Sequence, residues 1–192
     1  MTTRKIFILL GHTDPATLSG ALADIYEAAA RAAGHEVRRM NLGDMHFDPI
    51  LHEGYKSIQE LEPDLKDFQE NLRWAEHFVL FYPTWWSTMP AMLVGLFDRA
   101  WLPHYAFNFA DHGLTWKKLL KGRTARVVTS SNTQPILLRL MYGSPTTIIR
   151  LCLLEFAGIR TRAIDFGPSE RASERTKAKW FRKVERLGRA GH

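Results

Sequence analysis

Residues 5–34 read KIFILLGHTDPATLSGALADIYEAAARAAG. The first six form a short run rich in Ile, Phe and Leu that stops at Gly11, the pattern of a strand buried on both faces of a parallel sheet. From about Thr17 to Ala33 the period changes, with Leu18, Leu22, Ile25, Tyr26 and Ala29 at helical spacing and Gly34 as the stop. Strand, polar loop and helix in that order open a βαβ unit.

Outward from this unit the alternation continues. The sequence predicts a second strand over 36–42, with Val37 and Met40 as its apolar anchors, an irregular stretch over 43–54 and a helix over 61–75. Further strands are predicted over 77–82, 126–130 and 161–166, and further helices over 90–102 and 146–156. Five strands alternating with helices imply an α/β fold: a doubly wound five-stranded parallel sheet with helices on both faces, in one domain over 1–192. The piece 103–122 has no strong period, and a connection that long is expected to form a wall of a site or an interface.

With 45% hydrophobic and 24% charged residues in a chain of 192, the composition is that of a globular domain and excludes disordered, collagen-like and disulfide-knit classes. The single cysteine, Cys152, lies in the apolar run 148–156, so it is expected as a small buried hydrophobe in a reducing, cytoplasmic setting. The basic pair Arg4-Lys5 precedes only five apolar residues, short of a secretory leader. The apolar stretch 89–97 is broken by Pro90 and Gly95, so no membrane-spanning helix is expected. Of the net charge of +6, most falls in 170–189, which holds eight Lys or Arg against three Glu. There Trp180, Phe181, Val184 and Leu187 share one helical stripe, so the charges read as the solvated face of a packed helix, and nucleic acid is not expected as a partner. The eight histidines are scattered and no H-E-x-x-H occurs, so no metal site is expected.

In such a sheet a ligand lies outside the carboxyl ends of the strands, which singles out three loops. The first, GHTDPATLS (11–19), offers the hydroxyls of Thr17 and Ser19, the ring of His12 and the amides of a helix start, the elements of a phosphate cradle. Plain helix capping by Thr17 competes with that reading, and neither G-x-G-x-x-G nor G-K-[ST] is present. The second, YPTWWSTMP (82–90), carries adjacent tryptophans that cannot both face one core. One is expected beside a flat ring, with Thr84 and nearby amides at the ring's polar edge; the competing reading has both filling gaps under a helix. The third, SSNTQP (130–135), sets hydroxyls and an amide in a row.

With these loops placed, the chain over 6–166 resembles the NAD(P)H:quinone reductase (DT-diaphorase-like) family of the flavodoxin-like superfamily. The resemblance rests on GHxxxxTLS, FDPIL, FYPTWWSTMPAMLVGLFDRAW, YAFNF and LLKGRTARVVTSS. It implies a bound flavin, FMN or alternatively FAD. His12, Thr17, Leu18 and Ser19 then hold its phosphate, Pro83, Thr84, Trp85 and Trp86 lie along the isoalloxazine, and Ser130, Ser131 and Asn132 bond its polar edge. It also implies an acceptor slot made by Trp86, Phe107 and Phe109, the two phenylalanines reaching across a homodimer interface to roof the partner's pocket. Two departures stand out: the family's Thr-Thr-Gly-Gly is Thr129-Ser130-Ser131-Asn132 here, and Ser19 replaces a common asparagine. The family's Tyr and His proton donors have no clear counterpart. Tyr142 is the one phenol in that segment, and beside Leu140 and Met141 it suits packing equally well.

The implied activity is hydride transfer from NADPH or NADH through the flavin to a quinone or similar flat aromatic acceptor. Two other classes stay open: a one-electron flavodoxin-type carrier, whose usual T-x-T-G-x-T loop is missing here, and a flavin-bound accessory or sensor subunit docking through the basic final helix.

Overall fold

Along β1 (Lys5–Leu10) Phe7 and Leu9 face one layer of helices, Ile6, Ile8 and Leu10 face the other, and all five are buried. The computed structural model describes residues 2–110 and 114–192. After β1 come α1 (Leu18–Ala32), β2 (Glu36–Asn41), α2 (Pro63–Trp74), β3 (His77–Pro83), α3 (Ala91–Ala100) and two short strands, β4 (Phe107–Phe109) and β5 (Trp116–Lys118). The chain continues through β6 (Thr124–Ser130), α4 (Pro135–Tyr142), a π-helical segment (Ile148–Glu155), β7 (Arg160–Phe166) and α5 (Glu174–Ala190). One parallel sheet has the order β2-β1-β3-β6-β7, and β4 pairs with β5 in a separate antiparallel hairpin.

Leu65 and Phe68 of α2 and Leu93 and Leu96 of α3 cover one face of the sheet; Leu22 and Tyr26 of α1 and Val184 of α5 cover the other. The expected doubly wound five-stranded sheet is thus what the chain forms. The basic final helix packs as its stripe predicts, Val184 buried with Trp180, Phe181 and Leu187 partly buried around it. No helix among the described residues is long and apolar enough to cross a membrane.

Three local expectations are refined. The stretch after β6, read as a polar loop, contains α4; Pro135 starts it, but Ile136, Leu137, Leu140 and Met141 face solvent, so no buried stripe marks it. The helix expected over 146–156 is π-wound from Ile148 to Glu155 and buries only Ile149 and Leu154, which leaves Cys152 exposed rather than in the core. The connection 103–122 carries the β4–β5 hairpin, with 111–113 outside the described residues. On α3 the neighbours Asp98 and Arg99 face opposite ways: Asp98 is exposed, whereas Arg99 is 1% exposed and turns inward.

Arg99 donates to Glu62 Oε2 at 2.9 Å, to the Glu60 carbonyl at 2.7 Å and to the Asp48 carbonyl, tying the irregular 48–62 stretch to α3. Burial pushes the Glu62 carboxyl up, but the Asp48 amide and the Arg99 guanidinium outweigh it and hold the group below its ordinary value. The loop after β1 is held equally closely. A Cβ on Gly20 would collide with the Pro15 carbonyl, and one on Gly43 with the Thr13 carbonyl, so α1 and the 42–44 turn clamp residues 13–15 between them.

Two stability measurements follow from these contacts. Arg99→Met strands the Glu62 carboxylate and should cost about 3 kcal/mol in urea unfolding at pH 7. Because the folded carboxyl is depressed, its contribution is complete above the unfolded value and is lost as pH falls through the folded one, so the deficit should shrink on acidification. Gly43→Ala should cost about 1–3 kcal/mol by overpacking; an unchanged denaturation midpoint would show that the 13–15 loop is not clamped.

Candidate functional site

The connection from β1 to β2 leaves the sheet on one side and that from β3 to β6 on the other, so strand order reverses between β1 and β3. At that point, outside the carboxyl ends, lies a crevice of about 210 Å³. His12, Thr17, Leu18, Ser19, Pro83, Thr84, Trp85, Ser130, Ser131 and Asn132 line it, joined by Ser169 and Glu170.

On the β1 side, Thr17 is the N-cap of α1: its hydroxyl accepts from the Gly20 amide and donates to the Asp14 carbonyl, both at 3.3 Å. Capping is therefore what this hydroxyl does. The Leu18 and Ser19 amides, in the first turn, have no intrahelical acceptor. The Ser19 hydroxyl makes no hydrogen bond to a described residue. His12 Nδ1 accepts from the Asp14 amide at 2.7 Å, which leaves Nε2 as the ring's donor. Amides, a hydroxyl, an imidazole N–H and the positive end of a helix thus converge on one spot, an arrangement suited to an anion.

On the β3 side, Trp85 and Thr88 exchange backbone hydrogen bonds at 3.0 and 2.9 Å around Trp86 and Ser87, whose φ values are 50° and 62°. Two consecutive positive φ values mark the tight primed hairpin turn. Trp85, half-exposed, stands edge-on to His12 with ring centroids 5.4 Å apart and contributes to the wall. Trp86 is 98% exposed at the turn tip and does not line the crevice. Neither indole fills a gap under a helix.

The β6 side closes the crevice. The hydroxyls of Thr84 and Thr129 lie 2.7 Å apart, so they use one hydrogen between them and one remains to donate. The Ser131 hydroxyl donates to the Thr133 carbonyl at 2.8 Å and is spent as a donor, contrary to its expected role. Asn132 Oδ1 accepts from the Ser169 hydroxyl at 2.6 Å and the Glu170 amide at 3.2 Å, which leaves Nδ2 free of described partners. Ser169 and Glu170 were missed by the sequence reading. They follow β7, whose carboxyl end reaches the same rim, so the strand-end rule that chose the other three loops could have found them.

Three other expected site residues stand apart from the crevice. Phe107, half-buried, and Phe109, 59% exposed, lie on β4 and meet edge-on, with Phe107 also edge-on to Phe156. Tyr142 ends α4 with its ring exposed. Tyr82, next to Pro83, is fully buried; burial and nearby Asp165 raise its pKa, so it is a neutral phenol, but it does not line the crevice.

Comparison with known proteins places this geometry. The human ribosyldihydronicotinamide dehydrogenase [quinone] is 25% identical over 97% of this chain and 93% of its own length. A ribosyldihydronicotinamide dehydrogenase-like protein of Penicillium crustosum is 27% identical over 56% of the chain, which spans about half, 48%, of that relative. These relatives carry the kind of name to which the sequence resemblance pointed. Among solved structures, the NAD(P)H:quinone oxidoreductase of Methanothermobacter marburgensis superposes with a TM-score of 0.81 at 20% identity, covering 100% of both chains. An FMN-dependent NADH-azoreductase of Bacillus anthracis gives 0.76 at 16% identity, over 97% of this chain and 98% of that one. At such identities the superpositions speak for the fold alone. The family match for the flavodoxin-like fold runs over residues 4–140, from the strand before the first crevice loop into the helix after the third. The crevice, apart from its Ser169–Glu170 wall, therefore lies inside the matched span, and the chain belongs to the flavodoxin-like fold family.

Proposed function

We propose that the chain is a flavin-dependent NAD(P)H oxidoreductase that reduces a quinone or similar flat aromatic acceptor by two electrons. The observation that carries this reading is the division of labour within one crevice: anion donors at the start of α1, and separate donors at the ends of β3 and β6 for the edge of a ring. The human relative's name includes both a nicotinamide and a quinone term, in keeping with that division. FMN is favoured over FAD, because the crevice is small and the Bacillus anthracis neighbour is an FMN complex.

A bound flavin would supply the hydride chemistry; the protein has to hold it and shape its surroundings. The Leu18 and Ser19 amides and His12 Nε2 would take the phosphate. The free hydrogen of the Thr84–Thr129 pair and Asn132 Nδ2 would donate where the reduced ring gains negative charge. Trp85 would shield one side of the slot from water. No residue is assigned as proton donor, and NADPH and NADH are both accommodated.

The chain acts as a homodimer with its sites at the interface. Ile136, Leu137, Leu140, Met141 and Tyr142 of α4 and Ile148 and Leu151 of the π-helical segment are all exposed, an apolar surface larger than scattered exposure explains. Exposed Trp86 and Phe109 would then complete a neighbour's slot. The unpaired thiol of Cys152 suits a reducing, cytoplasmic compartment.

Purified protein should be yellow, release FMN on heating and oxidise NADPH or NADH in the presence of menadione; a flavin-loaded protein inert toward every quinone would overturn the reading and favour a carrier or sensor. Trp85→Ala should weaken FMN binding at least about tenfold, whereas Trp86→Ala should leave it nearly unchanged and raise KM for menadione. Sedimentation should show a dimer that Leu140→Asp dissociates.

A further inference from the structure

The opposite rim of the sheet, where the strands begin, holds a larger cavity of about 770 Å³ between β6, β7 and the end of α5. A seven-residue strand such as β6 separates the two rims by roughly 20 Å, so this cavity is distinct from the flavin crevice. Its lining is cationic: Arg4, His77, Arg126, Arg160, Arg162 and His192 all contribute. Lys118 is on the lining too, with its ammonium on the Glu155 carbonyl at 3.0 Å. The one acidic side chain on the lining among the described residues, Glu155, forms no salt bridge among them.

Arg126 stands at the centre of this arrangement. It is 8% exposed, yet its guanidinium makes no hydrogen bond or salt bridge to any described residue, and its Nε is buried without a partner. Its register neighbour across the strand pair is another arginine, Arg162. Burial first, and then Arg162, lower the Arg126 pKa. His77 is in a similar position. It is 2% exposed, with Nδ1 on the Thr124 hydroxyl at 2.8 Å and Nε2 buried and unpartnered. Burial, with Arg126 and Arg4 nearby, pushes its pKa down to about 3, so the ring is neutral and adds no charge to the arginines around it. Arg99 shows what this chain does with a buried arginine that has a purely structural role: it surrounds the group with a carboxylate and two carbonyls. Arg126 has no such partners, and a buried cation without a partner is unfavourable until an anion joins it.

We propose that this cavity binds a small, multiply charged oxyanion of the phosphate class, seated on the Arg126 guanidinium, with Arg4 and Arg162 closing around it. The planar guanidinium fork suits a phosphate bidentately, and the recessed position of Arg126 selects a compact anion over a duplex backbone. No Phe, Tyr or Trp among the described residues lines the cavity to hold a base, so the phosphate group itself is the recognised element.

The test is calorimetric titration of inorganic pyrophosphate at low salt, with the flavin crevice saturated with FMN and again without FMN. Binding should be the same in both, which separates this site from the reading of the crevice. Arg126→Met should weaken binding at least tenfold without lowering the melting temperature of the free protein, since an unpaired buried charge has been removed. Arg162→Ala, at an exposed position, should weaken binding several-fold and carries the test if the Arg126 variant fails to fold. Lys179→Ala with Arg186→Ala, on the exposed face of α5 and off the cavity lining, should leave binding within twofold. ADP in place of pyrophosphate distinguishes the source of the group: equal affinity indicates the diphosphate alone, and tighter binding that is still lost in the Arg126 variant indicates a nucleotide diphosphate. Absence of binding, equal binding by wild type and both arginine variants, or competition with FMN would overturn the proposal.

Discussion

Parallel pairing sends the carboxyl ends of β1, β3, β6 and β7 to one rim of the sheet and their amino ends to the other. Both faces are sealed by helices, as a parallel sheet requires, so unpaired polar groups can collect only at the rims. The two rims then differ in character. Loops of hydroxyls, amides and indoles leave the carboxyl end, whereas the amino end gathers arginines and histidines with little carboxylate among them.

Precision at the carboxyl rim comes from backbone rather than side chains. The hydrogen-bond ladder runs past each strand end: the Gly11 amide donates to the Phe81 carbonyl, Thr84 to Ser130, Ser131 to Phe166 and Ser169 to Ser131, at 2.7–2.9 Å. Each loop is thereby fastened to the neighbouring strand before it departs. The crevice inherits the rigidity of the sheet, which a site built from free loops would lack. The clamp of Gly20 and Gly43 on residues 13–15 does the same for the anion end.

What the sequence reveals divides along a physical line. Strands such as His77–Pro83, buried on both faces, appear as unbroken apolar runs, and the loops that follow them can be located without coordinates. An element whose apolar residues face outward is invisible to the same reasoning: α4 buries only Leu138 and so has no inner stripe, while the helix expected over 146–156 is present but its π winding leaves no mark in the sequence. Thr17 could be read in two ways, and only the bond from the Gly20 amide decided for the cap. The Asn132 amide gained its meaning from Ser169 and Glu170, more than thirty residues away in sequence. Arg126 begins a predicted strand and nothing in the sequence sets it apart; its isolation depends on which groups the tertiary fold brings near it.

At the Trp86-Ser87 turn local preference and structure openly disagree. Positive φ at both central positions is the habit of Asn-Gly, and a bulky indole there costs on the order of 1–3 kcal/mol. The turn is nevertheless held by two backbone bonds and anchored through Thr84 on Ser130. Its effect is to separate the adjacent tryptophans, with Trp85 facing the crevice and Trp86 almost wholly in solvent. A relaxed turn could be had by a small polar pair at no cost in packing, since Trp86 packs against little within its own chain. Strain that a simpler sequence would relieve, spent on displaying an apolar ring to water, is in keeping with the proposed dimer, in which a second copy would cover that ring.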